Sequence, residues 1–244
     1  MISKLYFTSN QDQQYAKELS SKLSIELIQA PKELDDPCLE LAEGELSFFH
    51  PNARATKQFK VDFQAGSMGW RLKRADHEKL IKKALGRSEK PLHILDCTAG
   101  MLQDSLLFLS LGHKVSAVEQ SSILFFLLQD GIKRSTDKAL FSDLTLLHGD
   151  ACKVAQTIEE FDVVYFDPMY PATKKTALGS GQLDYLARIL EAESIKSDPQ
   201  KDFEALRLLS AKKMIIKRPI KAEPFATGIN YQVPGKTTRF DVYI

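Results

Sequence analysis

His93-Ile94-Leu95-Asp96-Cys97-Thr98-Ala99-Gly100-Met101-Leu102-Gln103-Asp104 is an apolar run closing on a carboxylate, followed by a turn of small residues and the opening of a helix. Leu92 to Leu95 is too short and too apolar for an amphipathic helix and reads as a buried parallel strand. Asp104 offers an N-cap or first-turn carboxylate to the segment 105–111, and Gly112 ends that helix. Such a corner is the working unit of all α/β folds. A small turn there also lets a ligand approach the backbone at the positive end of the helix.

The next unit narrows the choice of ligand. His113 to Val118 is a second strand, and it ends in Glu119, 19 residues after Gly100. A carboxylate at that place holds the hydroxyls of a nucleotide ribose. Dinucleotides and S-adenosylmethionine (SAM) both fit. Dinucleotide turns use several glycines, and here Thr98 and Leu102 stand where two of them would be, leaving Gly100 alone. Asp96 at the mouth of the turn would repel a pyrophosphate but suits a cationic sulfonium ligand. The balance favours the methyl donor.

The rest of the chain alternates in the same way. Ser121 or Ser122 caps an apolar helix running to Arg134, 144–148 is a third strand with its turn at Gly149-Asp150-Ala151, and 161–166 is a fourth. That strand ends in Asp167-Pro168-Met169-Tyr170-Pro171; a fifth, 213–217, ends in Arg218-Pro219, and 239–244 is a last one. The expected fold is α/β: a mostly parallel Rossmann-like sheet with helices on both faces, over residues 66–244. Before it, 5–7, 12–23, 25–28 and a hairpin of 39–42 with 46–49 around Gly44 form a small N-terminal α/β domain, 1–65. Its role is open between gripping a macromolecule and covering the sheet. Lys60 to Phe63 reads as a short strand, 64–69 as a joint, and 75–86 as a helix.

At 244 residues and 43% hydrophobic content the chain buries a full core. Its longest apolar run, Ile123 to Leu128, is far short of the roughly 20 residues a membrane span needs, so no membrane partner is expected. The first seven residues turn polar at once, which argues against a signal peptide. Cys38, Cys97 and Cys152 show no metal spacing, and the five histidines are scattered, so reduced thiols in a cytoplasm and no metal are expected.

The net charge of +1 hides an uneven distribution. Residues 1–50 carry 4 Lys/Arg against 9 Asp/Glu, whereas 51–90 carry 11 against 4 and 205–222 carry 6 against none. Two basic segments on a near-neutral chain suit a localised phosphate-binding face, although charge runs on helices also serve simply as solvated surface. Trp70, interleaved with Arg71, Lys73 and Arg74, is either a base-stacking platform among phosphate contacts or a core residue.

Carboxylates thus close strands one to four: Asp96, Glu119, Asp150 and Asp167. Asp commonly opens turns, but four in succession with Asp-Pro-Met-Tyr-Pro at the fourth is harder to obtain that way. The pattern resembles class I SAM-dependent methyltransferases, and Asp167-Pro168-Met169-Tyr170 resembles the Asn/Asp-Pro-Pro-aromatic motif of those that methylate exocyclic amines. Segments 61–74 (VDFQAGSMGWRLKR), 96–100 (DCTAG), 166–171 (FDPMYP), 217–219 (KRP) and 239–243 (RFDVY) together resemble the small-subunit (16S) ribosomal RNA guanine-N2 methyltransferase J family. In that family the first turn usually carries a glycine and an Arg where this chain has Leu102 and Gln103.

The resemblance implies a donor site and a partner. Gln103 and Asp104 would border the methionine end of SAM, Glu119 and Gln120 its ribose, Asp150 and Ala151 its adenine, and Asp167 the junction of donor and target, with Asp96 and Gly100 framing the turn. Asp167, Pro168 and Tyr170 would be the catalytic group. Ribosomal RNA or the small subunit would be the partner, and Arg71, Arg74, Lys174, Lys175, Lys217 and Arg218 are candidates for its phosphates by charge and position. Other classes remain open at this point: an amine methyltransferase acting on DNA adenine or protein glutamine, a non-catalytic RNA-binding module, and, least favoured, an NAD-linked dehydrogenase.

Overall fold

The computed structural model describes residues 2–29, 34–53, 58–64, 69, 72, 75–169 and 181–244. In chain order these form β1 (Lys4–Phe7), α1 (Gln13–Leu23), β2 (Glu26–Gln29), β3 (Cys38–Ala42), β4 (Glu45–Phe49), β5 (Gln58–Phe59), α2 (Lys79–Leu85), β6 (His93–Asp96), α3 (Gln103–Ser110), β7 (Lys114–Glu119) and α4 (Ser122–Arg134). There follow β8 (Leu144–His148), α5 (Ala151–Val154), β9 (Val163–Phe166), α6 (Gly181–Ala192), α7 (Pro199–Leu206), β10 (Lys213–Pro219), β11 (Tyr231–Pro234) and β12 (Thr238–Tyr243). They sort into two compact units. One gathers the described residues of Met1–Phe63, Ser121–Thr136 and Ala172–Lys196; the other gathers those of Gln64–Gln120, Asp137–Pro171 and Ser197–Ile244.

The first unit is built on a five-stranded sheet of order β2-β1-β3-β4-β5. Its hairpin turns where the sequence places it: Glu43 and Gly44 both adopt positive φ, 52° and 77°, the backbone that a two-residue hairpin turn requires. Leu39, Leu41, Leu46 and Phe48 are fully buried, so this unit has its own core. Helix α4 belongs here, packed on β4 and α6. The Ser121 hydroxyl accepts the Leu124 N–H at 3.0 Å and caps it. Gly131 is required on that helix, because a Cβ there would lie 2.8 Å from Cγ1 of Val61.

Two expectations shift in detail. The strand expected at Lys60–Phe63 is instead Gln58–Phe59. Val61 and Phe63 are buried in alternation like strand residues, but the Val61 carbonyl accepts the Arg134 guanidinium at 2.6 Å in place of a ladder partner. The helix expected over 75–86 splits into a 3₁₀ turn, Ala75–His77, and α2.

The second unit carries a seven-stranded sheet of order β11-β12-β10-β9-β6-β7-β8. The five strands from β8 to β10 are parallel, and β12 and β11 complete the edge antiparallel. Leu95, Val164, Ile215 and Ile216 are at most 1% exposed, as strands covered on both faces require. Helices α3 and α5 pack on β7, and α2 packs on β11 and β12. The chain runs outward from β6 to β8, then returns to lay β9 on the other side of β6. Open α/β sheets bind ligands at such a reversal, outside the carboxyl ends of the strands.

Candidate active site

The reversal between β6 and β9 is stitched across by the backbone. The Cys97 N–H donates to the Tyr165 carbonyl at 2.9 Å, and the Ala99 N–H to the Val118 carbonyl at 3.0 Å. The Asp167 N–H donates to the Thr98 hydroxyl at 2.8 Å, so the turn after β6 and the loop after β9 are held to one another. The Gly100 N–H donates to Glu119 Oε2 at 2.9 Å, which ties the same turn to the end of β7.

Within this frame Asp96 is 1% exposed. Its Oδ1 accepts the Thr98 N–H at 3.0 Å and its Oδ2 accepts the Ser105 hydroxyl at 2.5 Å. Burial pushes its carboxyl up to about 6, against the lowering effect of those two hydrogen bonds. Leu102, one residue before α3, adopts the left-handed φ of 56° that glycine normally supplies, and its side chain is fully buried. Left-handed backbone costs an ordinary residue roughly 1–2 kcal/mol, and burying a leucine side chain returns roughly 1.5–3 kcal/mol. The turn therefore keeps a glycine-like shape with leucine in place. Asp104 enters as a first-turn residue of α3 and not as its cap.

A half-buried polar cluster lies beside this turn. Phe166 and Ile216 are the last paired residues of β9 and β10. The residues that follow them, Asp167 and Lys217, consequently emerge at the same level on neighbouring strands. Lys217 Nζ donates to Asp167 Oδ2 at 2.8 Å and to Asp104 Oδ2 at 2.7 Å. The Tyr165 hydroxyl donates to the same Asp104 oxygen at 2.6 Å. Burial opposes the charge on Lys217, but the Asp104 and Asp167 carboxylates outweigh it and hold the ammonium above its usual range. Burial, followed by Asp104 and Asp167, likewise raises the Tyr165 phenol, which stays protonated and donates.

The remaining expected residues separate into groups. Asp150 is exposed and caps α5, its Oδ1 accepting the Cys152 N–H at 2.9 Å and the Lys153 N–H at 3.3 Å; Ala151 opens that helix. Gln120 is exposed just past β7, and Gln103 is half-buried at the start of α3. Pro168 is buried and Met169 is 43% exposed beside it. Lys217 is held by two carboxylates as above, and Arg218 is buried with its guanidinium carbon 3.7 Å from the Phe225 ring centroid and Nη2 donating to the Glu223 carbonyl. Neither is an open surface cation. Tyr170, Arg71, Arg74, Lys174 and Lys175, together with Trp70, lie outside the described residues.

Four carboxylates (Asp96, Asp104, Glu119 and Asp167) against the ammonium of Lys217 make this an anionic lining, which fits a sulfonium amino acid and opposes a pyrophosphate. Asp96 and Asp104 lie on the turn side of this group, and the Glu119 carboxylate is tied to the turn through the Gly100 N–H. Among the described residues no group of His, Cys, Asp or Glu could hold a metal ion, and no helix is long and apolar enough to cross a membrane.

A family model of SAM-dependent methyltransferases matches residues 19–244. The ribosomal RNA small subunit methyltransferase J of Thioalkalivibrio sulfidiphilus is 30% identical over 250 residues, 98% of this chain and 96% of that protein. Its counterpart in Rhodopseudomonas palustris (strain BisB5) is 36% identical over 194 residues, 75% of this chain and 86% of that protein. The chain belongs to the ribosomal RNA small subunit methyltransferase J family. A crystal structure of a SAM-dependent methyltransferase from Neisseria gonorrhoeae superposes with a TM-score of 0.71 at 25% identity, covering 99% of this chain and 96% of that one.

As a methyltransferase J family member the chain is a SAM-dependent methyltransferase of the class I α/β fold. Lys217 and Tyr165 have a place in this site that their sequence positions do not disclose. The available signal was register: Lys217 follows the β10 residue that pairs with Phe166, and Asp167 follows Phe166.

Proposed function

We propose that the chain transfers the methyl group of SAM to the exocyclic N2 of a guanine in small-subunit ribosomal RNA, in the cytoplasm. One observation carries this reading: the Asp167 carboxylate, held by Lys217, stands on a loop bonded through Thr98 to the turn that frames the donor. The curated relatives carry ribosomal RNA of the small subunit in their names. Bound SAM supplies an electrophilic methyl group on a sulfonium.

The acceptor needs orientation, because the lone pair of a guanine N2 is delocalised into the ring. Asp167 and the Pro168 carbonyl accept the two amine hydrogens and turn that lone pair toward the methyl. The Asp167 carboxylate stabilises positive charge developing on the nitrogen, and because an ammonium already holds it, it is a weak base and leaves the departing proton to solvent. Pro168 fixes its own φ and stiffens the loop. Tyr170 takes the stacking role on an extruded base that the family motif implies. The phosphate contacts fall to Arg71, Arg74, Lys174 and Lys175, with Lys217 and Arg218 reassigned to the interior.

The test is methyl incorporation from labelled SAM into small subunits purified from cells lacking this protein, beside free 16S RNA and DNA, with nucleoside analysis of the product. Label in N2-methylguanosine is the expected result. Label confined to adenine, or to protein, would overturn the substrate while leaving the donor assignment in place.

A further inference from the structure

The ammonium of Lys217 lies between two carboxylates from different elements, one from the first turn of α3 and one following β9. The strand that carries it is anchored just beyond that residue. Arg239 Nη1 donates to the Pro219 and Ile220 carbonyls at 3.1 and 2.8 Å, while its Nε pairs with Asp241 Oδ1 at 2.8 Å. Across β12 the residue opposite Lys217 is Phe240, which adds no charge. Among the described residues, the titratable groups seen at the ammonium are Asp104 from α3, Asp167 after β9 and Tyr165 within β9, with Asp96 behind them at the end of β6. A lysine held by 2.7 and 2.8 Å contacts between one buried carboxylate, Asp104, and one half-buried carboxylate, Asp167, is unsuited to gripping a phosphate. It is suited to fixing what it touches.

We propose that Lys217 is a positioning residue, whose ammonium clamps Asp104 to Asp167 and orients Asp167 as an anionic acceptor for the incoming amine. The inference rests on the methyl-transfer reading above. Lys217 acts through Asp167: by holding Oδ2 it sets the rotation of the carboxylate about its own axis and favours its anionic form. Asp104 is the second anchor. It takes the ammonium and the Tyr165 hydroxyl on one oxygen, so the donor-side turn and the acceptor-side loop share a single cation. The two substrates are therefore aligned through one side chain.

The experiment compares wild type, Lys217→Met and Lys217→Arg by single-turnover methyl transfer to small subunits from pH 5 to 9, with donor-analogue affinity measured alongside. In the absence of RNA, the carboxyl signal of Asp167 is titrated by ¹³C NMR, assigned with Asp167→Asn. Lys217→Met is expected to slow transfer about 100-fold at neutral pH and to move the acid limb of the rate profile and the Asp167 titration up by about one pH unit or more. Donor-analogue affinity changes less than turnover, and Lys217→Arg, which keeps the charge, restores the wild-type limb. An unmoved Asp167 titration in Lys217→Met overturns the clamp, whatever the rate. Should wild type transfer nothing to subunits while that titration still moves, the clamp stands and the substrate reading falls.

Discussion

Two turns of the second unit have the same plan, strand then acidic residue then helix, and use it oppositely. After β8, Asp150 is exposed and its carboxylate caps a four-residue helix, bonding the N–H groups that the helix leaves over. After β6, Asp96 is 1% exposed, the helix has no side-chain cap, and the residue before it is a leucine in left-handed backbone. The first arrangement solves a local hydrogen-bonding problem. The second buries charge and bends backbone at the point where the sheet reverses, and such departures from local comfort collect at functional sites. A carboxylate at a strand end thus acquires its meaning from burial and from what it holds, not from its place in the motif.

The largest effect that would break this contrast concerns Leu102. Replacing it with Ala removes a fully buried side chain but keeps the strained backbone, so stability should fall by about 2–5 kcal/mol in urea unfolding. A loss under about 0.5 kcal/mol, the usual range of a surface change, would show that the side chain does not offset the turn.

A smaller effect separates the two acids by pH. Because Asp96 is raised in the folded protein, the native state binds its proton more tightly than the unfolded chain between 3.8 and about 6. The stabilisation this brings is complete below 3.8 and is lost as the pH climbs through about 6. Asp96→Asn cannot ionise, so over that window it should gain on wild type by about 2–3 kcal/mol, read as the pH dependence of the stability difference. A difference independent of pH would mean that the burial is relieved in solution.

The smallest effect belongs to the cap. Asp150→Ala should lose about 1 kcal/mol, and Asp150→Asn much less, since an amide oxygen caps as well. An Asp150→Ala variant as stable as wild type would show that the cap contributes nothing and would break the contrast; the adenine contact that the resemblance implies for Asp150 is read separately, from donor-analogue affinity.

Most of the frame was legible because it is written locally. Apolar runs of strand length, the glycines that end α2 and α3 (Gly86 and Gly112) and acids at strand ends are short-range signals, and β6, β7, β8, β9 and β10 stand within a residue or two of where they are expected. The fate of the cations was not legible. Lys217 meets Asp104 across 113 residues and Asp167 across 50, and only the register of β9 beside β10 brings them together. Arg218 likewise reads as a surface charge until Phe225 folds over it. Strand β11 escaped notice because its four residues sit between Gly228 and the Pro234-Gly235 pair, where turn signals outweigh a short β pattern. The left-handed backbone of Leu102 was signalled only by the glycine that related turns carry at its place, and its burial comes from tertiary packing.

The central claim is a division of labour in which Glu119 and the β6 turn hold the donor while Asp167 serves the acceptor. It is tested most directly by calorimetric titration of S-adenosylhomocysteine into Asp167→Ala and Glu119→Ala, paired with single-turnover transfer. For Asp167→Ala the account predicts affinity within about tenfold of wild type and transfer slowed by about 100-fold or more; for Glu119→Ala it predicts that affinity is lost first. Affinity falling in step with transfer in Asp167→Ala, with Glu119→Ala binding normally, would contradict it.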